Sequence, residues 1–440
     1  MKKYLLMILI SFGVKAFAQD AFTLTNCVDY TLKNHPTVAI YSNNIAIADK
    51  KNIQNTAAYL PQISGAATTI DNLSLQSTIL TADFIGPDPI MITMGSKFTT
   101  NAYIDVSQSL IDPTKIAKIT TNKTNRDKSL LERQQNEETI IYTTATSFFQ
   151  ILILKEQLKI LMANKSKYEE LYSVLNYQNQ AGTILEKEVN RIKVSLNSTN
   201  YQIKDTQERL QFAYNTLKNA MGMPLDATLE IKESSDYEVY IEPHDEIFNV
   251  NTLTNYKIYE NAVLMEKQNV KVEKAGYYPT LTALGRFGYQ SLTNESSDIY
   301  KAWNDFSYIG LSLNVPIFNG LKKRSQVSES KLKLQNQEAS FKLNTDKLQL
   351  AYENSKTSLG TAYSNFSSNK DNMGLAMQVL DVTAYQYKKG VATLTDFLND
   401  DTAYKNAQSD YLNSLYNLLI SELNYHQSKG TLKEFISQIK

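Results

Sequence analysis

A single cysteine, Cys27, serves a chain of 440 residues, so no disulfide can close within it and no cysteine-rich metal site can be built. Histidine is almost as scarce. His35, His244 and His426 are the only three, and none stands in a metal-ligand spacing. No G-x-S-x-G, H-E-x-x-H or P-loop pattern occurs, so neither an enzyme nor a cofactor is expected. Net charge is also absent: 45 basic residues balance 45 acidic ones, without the basic excess of a nucleic-acid binder. Proline (9) and glycine (15) are few, which predicts few loops and long elements. Beyond the N-terminus no stretch approaches the ~20 apolar residues of a membrane-spanning helix, so any crossing of a bilayer falls to strands.

The N-terminus itself is expected to be a secretory signal over residues 1–18. Lys2 and Lys3 precede an apolar run from Tyr4 to Val14, and Ala16-Phe17-Ala18 forms a cleavage site between Ala18 and Gln19. Cys27 follows Leu24-Thr25-Asn26, which ends in a large polar residue, so it is not expected to carry a lipid.

What fills the rest is mostly helix. Between Pro113 and about Asn219 there is no further proline and one glycine, Gly182. Ile151, Leu154, Leu158, Leu161, Lys165, Tyr168, Tyr172 and Leu175 step by three and four, a coiled-coil seam with one lysine in it. A helix over residues 114–178 would run on the order of 100 Å at ~1.5 Å per residue. From Leu321 to Gln427 proline is again absent, and Phe397, Tyr404, Tyr411, Leu418 and Tyr425 recur every seven residues as a second seam.

Four segments carry the period of two instead: residues 61–75, 98–110, 281–290 and 307–318. Ala102, Ile104 and Val106 alternate with Asn101, Tyr103 and Asp105; Phe287 and Tyr289 with Arg286 and Gln290; Ile309, Leu311, Leu313, Val315 and Ile317 share one face. About ten residues is the length at which a tilted strand crosses an outer membrane. The strands form two hairpins, entered through Pro61 and Pro279 and joined by polar loops, Gln76 to Lys97 and Ser291 to Phe306, the second holding the only tryptophan, Trp303. Each hairpin leads into a long helix, a glycine break (Gly182 or Gly390) and a return helix. Two tandem copies of one plan are therefore expected. Residues 19–220 hold a helix, a hairpin at 61–110 and a helical hairpin at 113–220. Residues 221–250 link the copies, and 251–440 repeat the plan with a hairpin at 279–318 and a helical hairpin at 320–430.

Four strands cannot close a barrel, and an open strand edge in lipid leaves backbone groups unsatisfied. Two chains would supply eight strands and three would supply twelve. Only the larger barrel has room for a pore, and the Thr, Ser, Asn and Asp of the polar faces suit a wet lumen. A soluble sheet packed on helices is the other arrangement, but the polar helices offer little to cover so apolar a strand face.

In the order and spacing of these parts the chain resembles the TolC-like outer-membrane efflux proteins. The residues that carry the likeness are the proline-entered hairpins, LSLNVPIFNG (311–320), the MGMP turn (221–224) and YKKGVATLTDFLND (387–400) with its following heptads. The resemblance spans residues 22 to about 432 and is closest to the non-acylated branch. It implies a mainly α-helical chain with a membrane β-barrel. Three chains would share one twelve-stranded barrel among outer-membrane lipid, with their helices forming a hollow α-barrel across the periplasm of a Gram-negative bacterium. A periplasmic adaptor and an inner-membrane transporter would be the partners, in efflux or type I secretion, and no nucleic acid would be involved.

The resemblance also assigns roles to the two glycine breaks. They would be the periplasmic tips, with Gly182, Thr183, Gly390 and Val391 docking the adaptor. Tyr387 falls on the gate tyrosine, Glu188 on the acid it bonds to, and Asp396 on the first acid of a charge ring. Glu188 and Asp396 each lie six residues beyond their glycine. Two positions depart from the family. Ala392 stands where an arginine locks the closed state, leaving that role to Lys187 or another cation. Asn399 replaces the ring's second acid, and the adjacent Asp400 is turned ~100° around the helix. A ring of acids favours cations in transit; acids in a first helical turn also simply suit the helix dipole. The reading from another class is a structural coiled coil or adhesin anchored in the outer membrane. The duplication argues against it, because a stalk needs no second hairpin.

Overall fold

The computed structural model describes residues 21–80, 90–232 and 248–439. The signal segment with Ala18 and Gln19, the GPDP stretch of the first loop, and His244 with much of the inter-copy link lie outside the described residues. The chain divides into two compact units. One comprises Met1–Ile40, Arg133–Thr254 and Asp346–Lys440, and the other Tyr41–Glu132 and Asn255–Thr345.

The second unit holds the strands. β1 (Gln62–Asp71), β4 (Phe98–Ile111), β5 (Thr280–Thr293) and β6 (Asn304–Asn314) form one sheet in the order β1-β4-β5-β6, antiparallel throughout. Alternation in sequence becomes two faces. Ser64, Asp105, Arg286 and Tyr308 lie in register on one, and Ile63, Val106, Gly285 and Ile309 on the other. The apolar face is uncovered within the chain: Ile309 is 93% exposed, Ile63 72% and Leu311 69%. On the polar face Arg286 grips Asp105 through two bonds, Nε to Oδ1 at 2.5 Å and Nη2 to Oδ2 at 2.8 Å, and stacks on Tyr103 at 3.8 Å.

Several boundaries differ from expectation. β6 ends at Asn314, so Val315 and Ile317 lie beyond the strand face assigned to them. Pro316 cannot donate to a ladder, and Gly320 and Leu321 turn the chain with positive φ of 62° and 65°. β1 likewise stops at Asp71. The first loop is not simply polar coil: β2 (Gln76–Leu80) and β3 (Ile90–Met94) pair within it as a separate ribbon. The second loop shrinks because β5 runs on to Thr293.

α2 (Pro36–Ala57), α3 (Pro113–Thr120) and α6 (Thr254–Ala275) flank the strands in sequence. The helix expected from residue 114 to 178 is interrupted at Thr121, after which α4 (Asn122–Gln180) begins. Thr120 and Thr121 donate their hydroxyls back to the carbonyls of Ala117 and Lys118 at 2.6 and 2.7 Å, the local bonding by which threonine competes with helix continuation.

The first unit contains the core. α1 (Leu24–Asn34), α5 (Glu186–Met221), α8 (Leu394–Lys429) and α9 (Leu432–Gln438) pack with the adjoining parts of α4 and α7 (Lys322–Lys388). Both predicted seams are inside. Ile151, Leu154, Tyr168 and Leu175 are buried along α4, and Phe397, Leu418 and Tyr425 along α8. Lys165, the seam's lysine, stays half-buried and pairs with Glu169 at 3.6 Å. Cys27 is buried, which pushes its thiol up to about 12. The MGMP turn closes α5. Gly222 takes φ 68°, and its amide and that of Met223 bond back to Asn219 and Lys218. A Cβ on Gly222 would stand 2.8 Å from His35 Cα and 2.9 Å from Pro36 Cδ.

Candidate functional site

The tips of the two helical hairpins lie in the first unit, and each is built by a glycine. α4 ends at Gln180, Gly182 adopts φ 74°, and Thr183 returns both its amide and its hydroxyl to the Gln178 carbonyl at 3.0 and 2.8 Å. α7 ends at Lys388, Gly390 adopts φ 73°, and the Val391 amide returns to Gln386 at 2.9 Å. Positive φ is the reason for glycine at both positions. Just behind the turns, Leu175, Val189, Ile192, Leu380, Leu394 and Phe397 make one buried cluster from all four helices, so the two tips are a single packed object.

Tyr387 sits at the margin of this cluster, with its ring 6.0 Å from that of Phe397. Burial, and then the nearby Glu188 carboxylate, raise its phenol above the usual range. The two side chains are thus brought together, but no hydrogen bond joins them within the chain; the expected bond is replaced by electrostatic proximity. Glu188 Oε2 is buried without a hydrogen bond, and Arg191 Nη1 lies 3.6 Å from it.

Arg191 also donates to Thr395 Oγ1 at 2.9 Å, tying the start of α5 to the start of α8. Ala392 has only a methyl group and cannot do this, and Lys187 is exposed and makes no ion pair among the described residues. Arg191 is thus a cation linking the two tips that sequence reasoning missed, although its place three residues after Glu188 puts it on the same helix face.

Asp396 is exposed and already employed. It and Thr393 form a capping box: Thr393 Oγ1 accepts from the Asp396 amide at 3.1 Å, and Asp396 Oδ2 accepts from the Thr393 amide at 2.9 Å and hydroxyl at 2.6 Å. These bonds hold its carboxyl below the usual aspartate range. A depressed folded-state pKa contributes stability that is present above the unfolded value and lost as pH falls through the folded one. Fraying of the first turn of α8 is therefore expected below the ordinary aspartate range. It should appear as faster amide exchange at Leu394–Asp396, and Asp396→Asn should show that fast exchange already at neutral pH. Asn399 is exposed, whereas Asp400 turns toward α7 and accepts from Thr383 at 2.6 Å.

Behind the tips lies a buried polar cluster that the sequence did not announce. Asp401 of α8 accepts from the Tyr168 hydroxyl and from Lys167 Nζ at 3.2 Å, both on α4, and Lys405 Nζ lies 3.6 Å away. One step further, Asn164 donates to Gln408 at 3.1 Å. Burial, reinforced by Asp401, raises the Tyr168 phenol, and burial lowers the Lys405 ammonium. Among the described residues no group of histidine, cysteine or carboxylate side chains could hold a metal ion, and no helix is long and apolar enough to cross a membrane.

The model of one protein family, described as outer membrane efflux protein, matches residues 28–223 and 262–431. The outer membrane protein TolC of Escherichia coli K12 is 22% identical over 356 residues, 76% of this chain and 70% of that one. TolC of Vibrio cholerae is 20% identical over 447 residues, covering 99% and 97%. Among solved structures, CusC superposes with a TM-score of 0.77 at 13% identity, covering 92% of this chain and 91% of the other. The Campylobacter jejuni outer membrane channel CmeC does so with 0.74 at 14% identity, covering 100% and 98%.

Proposed function

Because the chain belongs to the outer membrane efflux protein family and is an outer-membrane efflux channel, we propose that it works as a trimer gated at its helical tips. The observation that carries this reading is the uncovered apolar face of a sheet with two unpaired edges, β1 and β6. Every pairing within the sheet is antiparallel, so β1 and β6 run in opposite directions. The β6 of a second chain set beside β1 continues the same alternation. Three chains close twelve strands, leave no edge in lipid, and turn Ser64, Asp105, Arg286 and Tyr308 toward a wet lumen. The helices from the two tandem copies then line a duct on the periplasmic side.

At the entrance, Tyr387 and Glu188 hold the closed state together with Arg191, which serves in place of the arginine missing at Ala392. Asp396 and Asn399 face the constriction, with one carboxylate per chain rather than two. The docking surface for a periplasmic adaptor, and through it an inner-membrane transporter, is the pair of tips around Gly182, Thr183, Gly390 and Val391. Support comes from the open space around both glycines and from Val391 and Leu185, exposed at 76% and 71%. A structural coiled coil or adhesin has no comparable support.

The test is single-channel conductance in a planar bilayer. The wild type is expected to show a small, cation-selective conductance. The double variant Tyr387→Phe, Glu188→Ala and the single variant Arg191→Ala should each conduct several-fold more. A wild type that conducts fully and is unchanged by these substitutions would keep the channel and remove the gate from these residues.

A further inference from the structure

The sheet sorts its charges as strictly as its apolar residues. On the face that bears Ser64, Asp105, Arg286 and Tyr308, the paired rows are otherwise uncharged. Among the described residues of those rows, Asp105 and Arg286 are the only charged side chains, and they stand directly opposite each other on β4 and β5. The electrical character of this face therefore rests on one pair.

Three neighbouring strands hold that pair in place. The guanidinium gives Nε–H and Nη2–H to the two carboxylate oxygens of Asp105, stacks on the Tyr103 ring at 3.8 Å, and has the Tyr308 ring 6.0 Å away on β6. Gly288, opposite Tyr103, leaves the tyrosine its room: a Cβ there would stand 2.6 Å from Tyr103 Cβ. Both charged side chains stay wet, with Arg286 30% and Asp105 34% exposed. A pair so exposed adds little to stability, even in bidentate geometry at the favourable end of the range. Stability is thus a weak reason for two charges on a face that has no others. What the pair does achieve is cancellation.

Cancellation matters once the face is closed into a lumen. By symmetry, three chains would set three copies of Arg286 at one height. Three bare guanidinium groups would make a positive ring, and such a ring repels cations. The tips, with Asp396 at the constriction, favour cations, so a bare ring would oppose at the exit what the entrance admits. We infer that Asp105 masks Arg286, and that this pair is a selectivity element of the barrel, separate from the tips, which keeps the lumen neutral to cationic cargo. The inference rests on the trimeric channel reading above.

The test is the reversal potential of single channels under a salt gradient. It is made at about 10 mM ionic strength, where the Debye length is about 30 Å and a charge on the wall is felt far into the lumen. The Tyr387→Phe, Glu188→Ala background keeps the tips from dominating; a wild type that already conducts fully serves equally. Asp105→Asn uncovers three guanidinium groups and is expected to lower the cation-to-anion permeability ratio several-fold. Arg286→Gln uncovers three carboxylates and should raise it several-fold. The double variant Asp105→Asn, Arg286→Gln carries neither charge and should return to the parent's ratio. All shifts should fade in 1 M salt, where the Debye length is about 3 Å.

A pair that only pins strand register predicts otherwise. Both single variants would then lower the melting temperature and leave the ratio unmoved, and that result would overturn the inference. So would a double variant that departs from the parent as far as either single one. Loss of the trimer in both single variants would also overturn it, by reducing the pair to a folding element. A separate measurement checks the face itself. Ser64→Cys, in register with Asp105, is treated with a charged thiol reagent, and Cys27 is too buried to react. A fall in current confined to Ser64→Cys supports the lumenal placement. If verified labelling leaves the current unchanged, the reading that turns this face to the lumen has failed, and the inference falls with it.

Discussion

Alanine at Gly222 is expected to destabilise the helical unit by about 2–5 kcal/mol, combining left-handed backbone strain with overpacking. The new Cβ would press on the backbone of His35 at 2.8 Å and on Pro36 at 2.9 Å, where α1 gives way to α2, so relief requires moving main chain and not a flexible side chain. The natural control is Gly390→Ala. Gly390 has nearly the same φ, 73° against 68°, but nothing within 4 Å of the position its Cβ would take. It should lose only the strain, about 1–2 kcal/mol. Thermal melting of the two purified variants measures the difference; equal losses would show that the contact with the α1–α2 junction carries no weight.

The second large effect is expected on the sheet. Ile309→Lys sets an ammonium on the apolar face, where Ile309 is 93% exposed within the chain. A lysine facing lipid near the bilayer centre costs about 2–4 kcal/mol, and every chain of an assembly carries it. Ser312→Lys, three residues along the same strand, points to the face shared by Thr282 and Arg286 and should insert nearly as well as wild type. Recovery of each protein in the outer-membrane fraction reads the contrast. Equal recovery would mean that the face bearing Ile309 does not meet lipid.

The parts of this fold that were legible in sequence are those governed by one repeating period. The seam from Ile151 to Leu175 and the alternation around Arg286 and Ile309 each repeat often enough to fix a face, and the burial and register follow them. Element ends were less legible because single residues set them. Thr120 and Thr121 interrupt a helix that the apolar spacing would continue, and Pro316 stops a strand that the alternation would extend. The ribbon of β2 and β3 escaped notice because each strand is only 5 residues long. At the candidate site, Tyr387, Glu188 and Asp396 were singled out by the family resemblance around the two glycine breaks. Arg191 and Asp401 were not, because their partners Thr395 and Tyr168 lie 204 and 233 residues away and no local pattern links them.

The strict in-and-out alternation of the strands has a consequence for how the protein reaches its place. Along the extended chain, apolar residues such as Ile104, Val106, Ile309 and Leu311 are each separated by a polar or small neighbour. No window is greasy enough to be arrested in an inner membrane during export, and no described helix is either. Hydrophobicity is stored as an encoded pattern and becomes a surface only when β1, β4, β5 and β6 align. Before that moment the polypeptide passes as a hydrophilic thread. After it, the same residues form a sticky sheet with two open sides, exposed to aggregation until it is inserted. Transit and membrane residence are thus separated by the act of folding itself.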